Sequence, residues 1–109
     1  VKQELTSTNR AIGGATCFRA PYGAVNRAVD RAAGQVGLRY SWLWSVDPRD
    51  WERPGADAIA DAVVKGARPG AVHVMHDGGG NRSQSVEGVD RALTRLKAKG
   101  YTVEPLPGC

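Results

Sequence analysis

Cysteine is nearly absent from this chain: among 109 residues there are two, Cys17 and Cys109. Neither has the close-spaced partner of a zinc knuckle, so a cysteine-rich structural metal site is excluded. No apolar stretch comes near the roughly 20 residues needed to cross a bilayer, which leaves no helical membrane span to place. Aromatic residues make up only 6% of the chain. They are not interleaved with basic residues, and Lys and Arg form no block, so the footprint of a nucleic-acid-binding domain is missing. Gly78-Gly79-Gly80-Asn81 lacks the Gly-Lys-Ser/Thr ending of a phosphate loop and reads as a flexible loop. No nucleophile elbow is visible, and Cys17 precedes the polar clusters rather than sitting within them, so nucleophilic catalysis is not expected. The chain opens Val1-Lys2-Gln3-Glu4-Leu5, without an initiator Met or the apolar core of a signal peptide, as if inside a helix; a truncated, cleaved or engineered boundary is the expectation.

What is present fits a globular piece of at most one domain. The hydrophobic fraction of 41% and the charged fraction of 24% sit near globular averages. A lone domain of this size buries about two-thirds of its unfolded surface, enough for a modest core. The net charge of +4 and pI near 9.4 favour anionic partners in principle. The basic residues, however, are scattered along helical patterns (Arg27 and Arg31, Lys65 and Arg68, Arg91, Arg95, Lys97 and Lys99) and read as solvated surface.

Helical and extended patterns alternate along the chain. Helix is expected over 1–12, closed by Gly13-Gly14, and a short strand over Ala15 to Phe18. Val25, Ala28, Val29, Ala32 and Val36 repeat at helical spacing over 24–36, with Gly37 placed to cap. Leu38 to Val46, rich in aromatic and apolar residues, reads as a buried strand. A short helix follows over 56–65, with Ile59, Ala62 and Val63 on one side, and then a strand over Ala71 to Met75. Ser83 or Ser85 can cap a helix whose apolar stripe is Val86, Val89, Leu93 and Leu96, closed by Gly100; a last strand runs from Tyr101 to Pro105. Such alternation implies βαβ units and a mainly parallel sheet. No internal repeat or linker interrupts it.

Three polar clusters follow strands: Arg19-Ala20-Pro21-Tyr22-Gly23, Asp47-Pro48-Arg49-Asp50-Trp51 and Val74-Met75-His76-Asp77. In parallel α/β folds the C-terminal edge of the strands is where catalytic groups collect. Taken alone, Arg-x-Pro-Tyr is a loop signature, Asp47 and Asp50 are metal ligands, an acid/base pair or turn residues, and His76 is structural or catalytic. His73, three residues earlier on the strand, should face away from His76 as a surface or second-layer histidine.

In this order the clusters resemble the third, fourth and fifth motifs of the polysaccharide deacetylase family (NodB homology, carbohydrate esterase family 4), over nearly the whole chain. The family's Thr-Phe-Asp-Asp and His-x-x-x-His motifs, which supply the base and the metal ligands, are missing. The resemblance therefore implies the C-terminal part of a distorted (β/α) barrel, with residues 1–109 one portion of a single domain and the metal-binding portion absent. It implies a parent hydrolase that removes acetyl groups from peptidoglycan, a chitin-like polymer or xylan, acting on carbon–nitrogen but not peptide bonds or on acetyl esters. The parent would use a divalent cation, zinc or another transition metal, with no metal ligand in this chain and no activity from it alone. His76 would be the general acid, Asp50 its hydrogen-bond partner, Arg19 the cation beside the base, and the Tyr22 N–H an oxyanion donor. Tyr22, Trp51 and Val74 would contact substrate, Val74 in place of the usual Leu around the acetyl methyl; Asp47 is structural. The resemblance further implies a secreted or cell-envelope protein, partnered by acetylated polysaccharide and by its missing portion or a second copy, with no nucleic acid. In a secreted protein Cys17 and Cys109 can pair with each other, and one of them can equally pair upstream; both stay open. Two alternatives stand beside this reading: a non-catalytic glycan-binding fragment, and a basic domain binding an anionic polymer.

Overall fold

The computed structural model describes all 109 residues, in two units: Val1–Leu43 with Glu104–Cys109, and Trp44–Val103. In the first unit, α1 (Lys2–Ala11) stops where Gly13 and Gly14 take positive φ, +82° and +99°. Asn9 anchors the exit by accepting the Ala15 N–H at 2.7 Å. Strand β1 (Cys17–Phe18) leads into a single 3₁₀ turn at Pro21–Gly23. Helix α2 (Arg27–Gln35) begins three residues later than the apolar spacing indicates, because the Asn26 carboxamide accepts the N–H groups of Ala28 and Val29 at 2.9 and 3.0 Å. Strand β2 (Tyr40–Ser41) pairs with β1 in parallel, Cys17 opposite Tyr40 and Phe18 opposite Ser41. Ala20, Ala33 and Leu38 are the buried apolar residues of this unit.

Cys17 and Cys109 are joined in a disulfide across 92 positions, which resolves the pairing left open by the sequence. The tail is also tied down by Thr16 Oγ1, which donates to the Gly108 carbonyl at 2.6 Å. Closing a loop of that length contributes about 4–5 kcal/mol in the chain-entropy picture.

In the second unit α3 (Ala56–Gly66) packs on α4 (Ser83–Ala98) around Ile59, Ala60, Val63, Val64, Ala92 and Leu96. The buried face of α4 is Ser85, Gly88, Ala92 and Leu96, whereas Val86 is 64% exposed and Val89 and Leu93 are half-buried. The sequence stripe thus lies one residue off the packed face. Helix α3 comes so close that only small residues fit: a Cβ on Gly88 would lie 2.7 Å from Ile59 Cγ2. Arg91 pairs with Asp57 and Glu87, and Arg95 with Asp61 at 2.6 Å, so these two cations of α4 lie exposed on the surface in ion pairs with acids.

The expected strand over Ala71 to Met75 reduces to one parallel bridge, Val46 to His73. Around it Ser45 and Val46 donate to the Val72 carbonyl, and Val74 donates to Val46. Leu38 to Val46 is likewise not one strand; it contributes β2 to the first unit and this bridge to the second. Tyr101 to Pro105 forms no strand, since no neighbouring segment pairs with its backbone; Tyr101 instead packs against the α3/α4 core and donates its hydroxyl to the Ala67 carbonyl at 3.3 Å. No helix is long and apolar enough to cross a membrane.

Candidate active site

Asp47 starts the second cluster by bending the chain: its Oδ1 accepts the Arg49 N–H at 2.9 Å, an Asx turn that confirms a structural role. Arg49 and Arg53 then sit at φ of +52° and +55° on either side of a single 3₁₀ turn, Asp50–Glu52. Left-handed backbone at a non-glycine residue costs on the order of 1 kcal/mol, so something must hold each one. Arg49 is held by Glu52 at 2.6 Å and lies over the Trp51 ring, 5.1 Å from its centroid. The outcome of this tight turn is that Asp50 points inward and is 0% exposed, while Trp51 remains 46% exposed.

A buried carboxylate needs donors, and Asp50 has three. His76 Nδ1–H donates to Oδ1 at 2.8 Å, the His76 backbone N–H donates to Oδ2 at 2.9 Å, and Ser85 Oγ donates to Oδ2 at 2.6 Å. Burial pushes the Asp50 carboxyl up, but the bonds from Ser85, the His76 ring and the His76 amide outweigh it and hold the carboxyl below its ordinary value. Asp50 is therefore an ionised acceptor, and Nδ1 must be the protonated nitrogen facing it. That leaves Nε2 of His76, on a side chain 31% exposed, as the nitrogen available to a substrate. An imidazole fixed this way by a buried carboxylate is suited to giving and taking a proton at Nε2.

The glycine loop beside His76 is pinned rather than free. Arg82 donates to the carbonyls of Gly78 at 2.9 Å, Gly79 at 3.4 Å and Trp51 at 3.3 Å, tying the loop to the Asp50 turn. Val74 is buried, 6% exposed, with its N–H on the Val46 carbonyl. His73 lies in the second layer: its Nε2 meets the Val63 carbonyl at 3.0 Å, satisfying an acceptor in the last turns of α3.

Arg19 and Tyr22 belong to the first unit. Both line an apolar cleft of about 590 Å³ together with Leu5, Phe18, Val29 and Leu38. Arg19 is exposed. Tyr22 has φ +58°, the residue is 99% exposed, and its N–H has no backbone acceptor, while the following N–H groups of Gly23 and Ala24 close on Ala20 and Pro21.

Of the residues named from the sequence, the structure joins Asp50 and His76 in a direct pair, leaves Trp51 and Val74 beside them along the same two segments, and adds Ser85, which sequence reasoning did not name for the site. Its position in the first turn of α4 invites a capping role. Asn81 takes that role instead, its Oδ1 accepting from both the N–H and the hydroxyl of Ser83. The available signal was a small polar residue in register with Gly88, Ala92 and Leu96 on one helix face. No three or more His, Cys, Asp or Glu side chains converge to hold a metal ion. His76 and Asp50 engage each other and His73 engages α3, so the residues present do not fit a metal site.

No family model matches the chain. It is 44% identical over 85 residues to a peptidoglycan-N-acetylglucosamine deacetylase of Bacillus cereus, an alignment covering 77% of this chain and 40% of that one. It is 36% identical over 123 aligned positions to a chitooligosaccharide deacetylase of Sinorhizobium fredii, covering 98% and 57%. Among solved structures, a family 4 carbohydrate esterase from Streptomyces lividans in complex with acetate matches with a TM-score of 0.77 at 29% identity, over 99% of this chain and 60% of that one. A carbohydrate esterase family 4 pseudoenzyme from Bacillus anthracis matches with a TM-score of 0.78 at 29% identity, over 94% and 38%. The chain thus spans about half the length of the relatives it matches, and its helices and parallel strand pairs form part of the same α/β barrel. With its Arg-x-Pro-Tyr, Asp-x-x-Asp-Trp and Val-x-His segments in order, the chain belongs to the polysaccharide deacetylases, carbohydrate esterase family 4.

Proposed function

We propose that this chain supplies the leaving-group side of a hydrolase that removes acetyl groups from a glycan. The observation that carries this reading is the Asp50–His76 pair: a wholly buried, ionised carboxylate on Nδ1 of a half-exposed imidazole. During hydrolysis of an acetamide, His76 Nε2–H gives its proton to the departing sugar amine. Asp50 stabilises the imidazolium that holds that proton beforehand. Trp51 and Val74 bound the space around the acetyl group. By motif, Tyr22 N–H takes the oxyanion role and Arg19 the place beside the base. The divalent cation of the family, zinc or another transition metal, has no ligand set among these residues, and no step here runs through it. Peptidoglycan, chitooligosaccharide and xylan are the candidate substrates, being the glycans for which the relatives are named. A secreted or cell-envelope location is supported by the Cys17–Cys109 disulfide, which forms and persists in oxidising compartments.

A second reading, glycan binding without turnover, is favoured by one observation, the pseudoenzyme among the structural neighbours. One experiment separates the two. This chain replaces the matching segment of the Bacillus cereus deacetylase, and acetate release from N-acetylglucosamine oligomers is followed. The chimera is expected to turn over, and His76→Ala to lower kcat by about 100-fold or more. A folded chimera that binds oligomer but releases no acetate favours the second reading. The chain alone is expected to release none.

A further inference from the structure

We propose that Ser85 is a positioning residue that decides which ring nitrogen of His76 carries the proton. Of the three donors to Asp50, two come from His76 itself, the ring at Oδ1 and the backbone amide at Oδ2. Those two bonds tie the carboxylate to the His76 segment alone, one through the ring and one through the backbone. Ser85 is the donor that comes from a different element, the first turn of α4, so it alone among them refers the pair to the helical scaffold. Its own place is firm. Ser85 is 2% exposed, and one turn further along the same face Gly88 lies against Ile59 and the Ala56 carbonyl.

The chemistry of the hydroxyl does the rest. At 2.6 Å, within the range of O–H···O⁻ bonds, Ser85 donates to a carboxylate that already accepts two N–H groups. With Ser85 and the His76 amide both donating to Oδ2, Asp50 is held in its ionised form, and Oδ1 faces Nδ1 as an acceptor. The neutral imidazole is then left with one tautomer, Nδ1–H, and with Nε2 unprotonated and outward. Protonation adds a hydrogen at Nε2, where a leaving group can collect it. His73 makes the opposite choice and donates from Nε2 to the Val63 carbonyl, so the two histidines of the chain report two different tautomers in one spectrum.

The catalytic meaning of this arrangement rests on the deacetylase reading, but the arrangement itself does not, and the test reads the ring nitrogens rather than activity. Long-range nitrogen–proton correlation spectra of the ¹⁵N-labelled chain, recorded in alkaline buffer, are expected to show His76 as Nδ1–H and His73 as Nε2–H. In Ser85→Ala the His76 Nδ1–H preference should fall by about 10-fold or more, the worth of one hydrogen bond to a charged group, with His73 unchanged. Ser85→Thr, which keeps the hydroxyl, should restore the wild-type ratio. A Ser85→Ala protein with an unperturbed α3/α4 amide spectrum and a wild-type His76 ratio overturns the proposal, as does wild-type His76 observed as Nε2–H. If Ser85→Ala disturbs the helices, Ser85→Thr decides: a wild-type ratio upholds the role, and a changed ratio in a folded protein overturns it. Acetate release by the chimera bears on the deacetylase reading alone, so either claim can fail without the other.

Discussion

Replacing Gly88 by alanine gives the sharpest test of the packing, because two physical rules disagree about its sign. Alanine is favoured over glycine in a helix interior by about 0.8–1 kcal/mol, and α4 runs from Ser83 to Ala98, so propensity alone makes Gly88→Ala stabilising. The structure opposes this. The new Cβ would stand 2.7 Å from Ile59 Cγ2, 2.8 Å from Ile59 Cβ and 3.0 Å from the Ala56 carbonyl oxygen. Two of these are contacts that real Cβ atoms do not make, and Ile59, 0% exposed in the centre of the core, has nowhere to retreat. Overpacking of this kind costs about 1–3 kcal/mol, so after the propensity gain the net expectation is a loss of up to about 2 kcal/mol. Gly34 in α2 supplies the control: a Cβ there meets nothing within 4 Å, and Gly34→Ala should gain up to about 1 kcal/mol. Urea unfolding read through its midpoint, with the slope checked for constancy, measures both. If Gly88→Ala is as stable as Gly34→Ala, helix α3 does not approach α4 as closely as described here, and the placement of Ser85 on the same face loses its support.

Two further predictions concern charge and cross-linking. Asp50→Asn removes one partner of a buried, hydrogen-bonded pair and should cost about 3 kcal/mol near neutral pH. Because the folded carboxyl lies below its ordinary value of 3.8, its ionisation stabilises the fold above that value, and the stabilisation disappears as pH falls through the folded pKa. Denaturant titrations should therefore show no narrowing of the gap between wild type and Asp50→Asn from about pH 7 down to 5, and closing only in stronger acid; a gap that closes between pH 7 and 5 contradicts a depressed carboxyl. Reducing the Cys17–Cys109 bond, or Cys17→Ser, should lower stability by about 4–5 kcal/mol, read as a shift in urea midpoint with and without dithiothreitol; no shift would mean the tail is held by other contacts.

The sequence by itself determined the elements whose causes are local. Helical spacing, Gly13-Gly14, Gly37 and Pro54-Gly55 mark out four helices to within a few residues, because caps and breakers act over a turn or less. The order of the three polar clusters was likewise legible, since motifs are strings of residue types, and with it the family. Tertiary structure decided what depends on a partner elsewhere in the chain. Val86, Val89 and Leu93 form the more apolar stripe of α4, yet the face carrying Ser85, Gly88 and Ala92 is buried, since close approach to Ile59 rewards small residues over large ones. The strands shrank to the few residues with a backbone partner at hand. Cys17 found Cys109 across 92 positions that no spacing rule relates. Ser85 became part of the candidate site in the same way: a hydroxyl is an ordinary helix residue until folding sets a buried carboxylate 2.6 Å away, and that distance is a property of the packed helices, not of the local sequence.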